Sequence, residues 1–189
     1  MSSRNGLVVA EDYFKRYELG LKEGRLISLK IDGHGYSPKT AEFLLLNLLD
    51  ATDGMFQFRA EAELDRQAWQ DLQLSATETL SLTHLSMGLA KVKDDLHHRE
   101  SQLPDPDSLF DRTESEPVGP FAAIWKDVSG KLEFPTSVRA MSMETDYPLR
   151  SLQLCVLDWT EQKILLKIET ESEEVAQDLS DLIDRSFLD

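Results

Sequence analysis

A chain of 189 residues with 35 acidic and 20 basic side chains carries a formal net charge of −15, which argues against holding nucleic acid or an anionic membrane through its general surface. Its apolar fraction of 41% and charged fraction of 29% suit a globular protein large enough to bury a core. A single cysteine rules out an intrachain disulfide framework, Met1–Gly6 has no apolar signal region and no run approaches a membrane span, so a cytoplasmic location is expected.

In chain order, Leu7–Ala10 and Tyr13–Leu21 are rich in β-branched, aromatic and aliphatic residues, and Arg25–Ile31 alternates. Lys22-Glu23-Gly24 can supply the positive φ of a tight turn, so Tyr13–Ile31 is expected to form an antiparallel hairpin. Asp32-Gly33-His34-Gly35 reads as a flexible turn into a helix. Ser37 is a good N-cap, and Pro38 sits in a first turn whose N–H has no helical partner; the helix is expected to run to about Asp50 and to stop at a left-handed Gly54. Ala41, Leu44, Leu45, Leu48 and Leu49 share one face. Burying four leucines contributes roughly 6–12 kcal/mol before conformational entropy is charged, which makes this helix the expected keystone of the core.

Phe43 and Leu46 project away from that face, among Lys39, Glu42 and Asp50. The default reading is a second layer of the same core. The functional reading is an apolar patch for a partner protein or a second copy, with Phe43, Leu46, Lys39 and Asp50 as the candidate contacts. Met55–Ala62 is expected to be a strand, with Phe56 and Phe58 on one face and Gln57 and Arg59 on the other.

Ser75 and Glu78 form a capping box that opens a long helix near residues 76–98. Leu82, Leu85, Leu89, Val92 and Leu96 repeat along it at a coiled-coil spacing, for packing within the domain by default or against a second chain. Gly88 beside this stripe would let another element approach closely, at a cost of about 1 kcal/mol relative to alanine. Four prolines mark Leu103–Pro120 as a linker or ordered surface crossing. The expected organisation is therefore a module over 1–103, a crossing over 104–120 and a second α+β part over 121–189, which could share the first part's core.

Phe121–Trp125 begins an apolar segment, and Leu132-Glu133-Phe134-Pro135 follows a Ser129-Gly130 turn. Leu152, Leu154 and Val156 alternate, as do Ile164, Leu166 and Ile168, so a second hairpin is expected across Asp158–Gln162; the rival is a helix starting at Asp158. A last helix from Thr170 or Ser172 has Val175, Leu179, Leu182, Ile183 and Phe187 on one side and a candidate acidic face of Glu174, Asp178, Asp181 and Asp184 on the other. The fold class is α+β, with antiparallel hairpins and packed helices.

No catalytic, cofactor or metal residues emerge. His97 and His98 are adjacent and point about 100° apart on a helix, so they cannot readily share an ion. Asp94 and His98 stand at i and i+4, but two ligands do not complete a site. A helix end that favours cations accounts for these histidines. There is no G-x-S-x-G, no dinucleotide fingerprint and no P-loop. Cys155, between Leu154 and Val156, reads as a packed thiol. A non-enzyme is expected.

Gly24-Arg25-Leu26-Ile27-Ser28-Leu29, a glycine-bearing loop, the Ala41 and Leu44–Leu49 helix, Gly54-Met55-Phe56-Gln57-Phe58, a leucine-rich helix and a Leu103–Asp107 exit follow one another here. This order resembles the PATAN domain of bacterial signalling proteins, over about residues 13–107. Such domains usually open with a glycine-led segment and a helix, whereas only a dozen residues precede the hairpin here. The resemblance implies a non-enzymatic α/β module, joined in many proteins to response-regulator receivers, that mediates protein contacts in signalling, motility or gliding. The expectation is an adaptor in bacterial cytoplasmic signalling that binds a protein, or itself, with no cofactor, direct nucleic-acid contact or membrane. The alternative, from the net charge and acidic last helix, is a nucleic-acid-mimicking inhibitor of a DNA-binding protein.

Overall fold

The computed structural model describes residues 5–12, 14–50, 53–74 and 78–168, which form an α+β fold. Strand β1 (Gly6–Glu11) is followed by β2 (Arg16–Lys22), β3 (Arg25–Ile31) and β4 (His34–Tyr36). Two-residue turns close the last two hairpins, Glu23-Gly24 at φ 51° and 74° and Asp32-Gly33 at φ 50° and 87°. Left-handed φ at both central residues gives the turn whose twist matches the flanking strands. The expected β2–β3 hairpin is present, and Asp32–Gly35 is a tight turn plus a strand rather than a flexible lead.

Ser37 caps the next element as expected, its Oγ accepting from the Lys39 N–H. The helix itself comes in pieces: a 3-10 turn at Pro38–Thr40, α1 (Ala41–Leu44) and α2 (Leu46–Asp50). Strand β5 (Met55–Ala60) then pairs antiparallel with β1 and gives the order β4-β3-β2-β1-β5. Gly54 is not left-handed, contrary to expectation. A Cβ there would stand 2.7 Å from the Glu11 carbonyl oxygen, so glycine lets the chain lie against the end of β1.

Helix α3 (Arg66–Leu74) packs on the sheet face that carries Gly20, with Leu72 against that glycine and Trp69 buried. Strand β6 (Leu80–Ser81) pairs with the start of β3 and leads into α4 (Leu82–His98). The cap of α4 is Ser81, whose Oγ accepts from the His84 N–H, so the expected start near residue 76 is corrected to Leu82. Ser75 lies outside the described residues, while Glu78 accepts instead from Ser37 Oγ and Lys39 Nζ. Leu85, Leu89, Val92 and Leu96 are buried within the domain, as the default reading had it; Leu82, in the first turn, is partly exposed.

The proline-rich crossing contains β7 (Leu109–Arg112), with Phe110 only 2% exposed. Its prolines flank the strand rather than interrupt it, which is why the segment can pair. The chain continues through α5 (Ala122–Ser129), β8 (Thr136–Ser137), α6 (Val138–Glu144), α7 (Leu149–Glu161) and β9 (Leu165–Lys167). The second sheet has the order β8-β7-β9. Helix α7 replaces one arm of the expected second hairpin, and Asp158 lies inside it rather than at its start. Ser151 through Val156 are all buried, so this helix is covered nearly all round and its apolar residues imitate alternation. The expected last helix and its acidic face lie outside the described residues.

Buried side chains of both halves form one cluster, from Leu29, Leu44 and Leu89 to Trp125, Leu152 and Trp159. Helix α4 reaches α1 at Gly88, where a Cβ would overlap the Glu42 carboxylate. Burial of that carboxyl raises its pKa, consistent with a tight seat. Gly88→Ala alone is therefore expected to bring no gain in stability, although alanine is favoured in a helix by about 1 kcal/mol. In a Glu42→Ala background the same change should stabilise by about that amount. Denaturant unfolding of the four chains measures the coupling, and an equal effect of Gly88→Ala in both backgrounds would contradict the contact.

Candidate functional site

The patch anticipated on the first helix does not form. Phe43 and Leu46 are each 4% exposed, and the Phe43 ring lies 5.4 Å from that of Phe121. The default reading of these two residues as a second core layer is the one the structure has. Lys39 is engaged with Glu78, and the side chain of Asp50 lies outside the described ones. Phe43 and Leu46 are not an accessible contact surface, because the second half of the chain covers the outer side of this helix, while Lys39 stays exposed.

Exposed apolar surface collects instead at one end of the larger sheet. Met55 is 74% and Phe56 82% exposed on β5, and Phe14 is 90% exposed in the turn between β1 and β2. Asp12 shapes that turn, its Oδ1 accepting from the N–H groups of Phe14 at 2.8 Å and Lys15 at 2.7 Å. Phe56 pairs with Ala10 and Phe58 with Val8, so both rings stand on the face that elsewhere carries the core. A groove of about 400 Å³ opens there, lined by Val8, Ala10, Leu48, Gly54, Met55 and Phe56.

The backbone of β5 is open along the same edge. Glu61 N–H bonds to the Asn5 carbonyl, which fixes the phase of the β1–β5 ladder. Hydrogen-bonded pairs alternate along an antiparallel ladder, so Met55, Gln57 and Arg59 turn their polar groups toward β1. Phe56, Phe58 and Ala60 turn theirs away. Ala60 N–H is taken by Glu63 Oε2 at 3.0 Å. Among the described residues no strand lies beyond β5, which leaves the N–H and C=O groups of Phe56 and Phe58 facing outward. Phe56 and Phe58 were legible as strand residues, but only the order of strands makes β5 an edge.

The ionisable groups that do converge form a structural clamp. Asp146, in the connection between α6 and α7, accepts from Lys15 Nζ at 2.9 Å and Tyr36 OH at 2.5 Å, with His34 Nδ1 at 3.7 Å. Burial alone would raise the Asp146 carboxyl, but the hydrogen bonds from Tyr36 and Lys15, with the lysine charge, hold it below the usual carboxylate range. Desolvation and the same carboxylate push the Tyr36 phenol upward. Next to it, Tyr147 OH donates to Asp127 Oδ2 at 2.6 Å. These shifts move the acid and the phenol away from neutrality, the opposite of a proton-transfer pair.

No family model matches this chain. No curated protein and no solved structure matches it either. Among the described residues no group of three or more His, Cys, Asp or Glu side chains is placed to hold a metal ion, and no helix is long and apolar enough to cross a membrane. His98 Nδ1 is 2.8 Å from the Asp94 carbonyl oxygen, and the Cys155 thiol is fully buried with its pKa pushed well up by desolvation.

The clamp carries a signed pH dependence. The folded pKa of Asp146 is depressed, so its stabilisation is complete above the ordinary carboxylate range and is lost as pH falls through the folded value. Asp146→Asn is expected to cost about 1–3 kcal/mol at pH 7 and progressively less below about pH 4. Urea unfolding across a pH series reads this difference, and a constant gap between the two chains would contradict it.

Proposed function

We propose that this chain is a non-enzymatic protein-interaction module that receives an extended segment of another polypeptide along β5. The observation that carries the reading is the coincidence, on one strand, of outward backbone groups at Phe56 and Phe58 and of an exposed Phe56 side chain above an apolar groove, with exposed Met55 on the opposite face. Strand addition uses both: the main chain supplies hydrogen bonds and the alternate side chains supply selectivity. Exposed apolar groups clustered on an unpaired edge are a hazard that natural sheets otherwise suppress with charge, proline or a covering element. The likeness to the PATAN domain supports a finer reading, an adaptor in bacterial cytoplasmic signalling.

Selection of displayed peptides on the full chain tests this reading. Peptides with alternating apolar and polar residues are expected to be enriched on the wild type and lost on Phe56→Asp, a change at a surface position that leaves the circular dichroism spectrum unaltered. No enrichment, or enrichment indifferent to Phe56→Asp, would contradict it.

A further inference from the structure

The open edge of β5 is complementary to itself. The outward backbone groups belong to two residues of equal parity, Phe56 and Phe58, and the run is closed on one side because Glu63 already holds the Ala60 N–H. A two-fold axis through Gln57, perpendicular to the sheet, sets Phe56 opposite Phe58 of a second copy and Phe58 opposite its Phe56. Both are then hydrogen-bonded pairs of an antiparallel ladder, which uses every outward group of the two residues in each copy. Other registers fit less well: centring on Phe58 sets Phe56 against the capped Ala60, and centring on Phe56 sets Phe58 against Gly54, which has no side chain to pair with its ring.

The side chains agree with the same register. All four phenylalanines fall on one face as directly opposed pairs, and aromatic pairs of this kind stabilise a sheet by about 0.2–1 kcal/mol each. On the other face Gln57 meets Gln57 of the second copy, and Arg59 falls opposite its Met55 and diagonal to its Asp53. Among the described residues Arg59 is tied to Gln57 of its own strand, through exposed bonds of 3.2 Å, and is placed to turn toward that carboxylate.

We infer that the strand-adding site of this chain takes a second copy of the chain, joined β5 to β5 about a two-fold axis at Gln57 into one continuous sheet. This rests on the interaction reading above and names its partner. The axis position makes the inference precise: residues facing each other in a non-hydrogen-bonded pair have Cα atoms about 4.5 Å apart, within disulfide reach.

Sedimentation equilibrium in about 0.3 M salt, which screens the repulsion of two acidic chains, is expected to give twice the 21.5 kDa chain mass. Phe56→Asp should weaken the association at least about a hundredfold, because the symmetric contact loses the residue twice. A disulfide-promoting oxidant should cross-link Gln57→Cys rapidly and leave Met55→Cys, which has no counterpart of itself across the axis, monomeric; the fully buried native Cys155 does not compete. A wild-type chain that stays monomeric to about 100 μM, or Met55→Cys linking as readily as Gln57→Cys, would overturn the inference. A monomer that still selects peptides would discard the second copy and keep the interaction reading; a monomer that selects none would discard both.

Discussion

Burial of α1 on both of its sides is the constraint on which the rest of the structure depends. A helix of one turn has no stability of its own, because nucleation fixes several residues for a single hydrogen bond. It persists here because Ala41 and Leu44 are completely buried while Phe43 packs on Phe121 and its carbonyl accepts from Ser151 Oγ at 2.8 Å. The adjoining 3-10 turn touches β3 and α5, and α1 itself touches α4. Prising the two halves apart would therefore expose both sides of this element at once, with the loss of several large side chains from the core. The Asp146 clamp acts at the same seam, tying the turn before β2 and the strand β4 to the connection between α6 and α7.

That constraint also decides where the outer surface can act. With α1 and Leu46 enclosed, the apolar residues that looked available on the first helix are consumed by the core. The helix layer covers the sheet as far as Leu48 and leaves Phe56 beyond it. The exposed end of the sheet is thus a consequence of how the layers are registered, and β5 carries both open backbone groups and large apolar side chains because nothing among the described residues lies over it.

What could be read in advance followed from local physics. Glu23-Gly24 between two alternating runs, Ser37-Pro38 before a leucine stripe and the alternation of Phe56 with Gln57 each impose a conformation within a few residues, and each is found as expected. What could not be read depended on the whole fold. Helix α7 looked like a strand because burial on nearly every side erases the helical period. Helix α3 left a weaker trace, Asp65 Oδ1 accepting from the Ala68 N–H ahead of Trp69 and Leu72, which only acquires meaning once Gly20 offers a seat for Leu72. The start of α4 moved because Leu80-Ser81 is drawn into a pairing with β3 before the helix begins. The site was hidden for the same reason: whether Phe43 or Phe56 is the exposed aromatic depends on which neighbours the fold brings to each.

Residue-resolved amide hydrogen exchange of the dilute, full-length chain tests the account most directly. An open edge on β5 predicts alternation, with the N–H groups of Met55, Gln57 and Arg59 protected by β1 and those of Phe56 and Phe58 exchanging near the rate of an unstructured peptide. Uniform protection along β5 in the dilute chain would mean that another part of the molecule already covers this edge, and would contradict it.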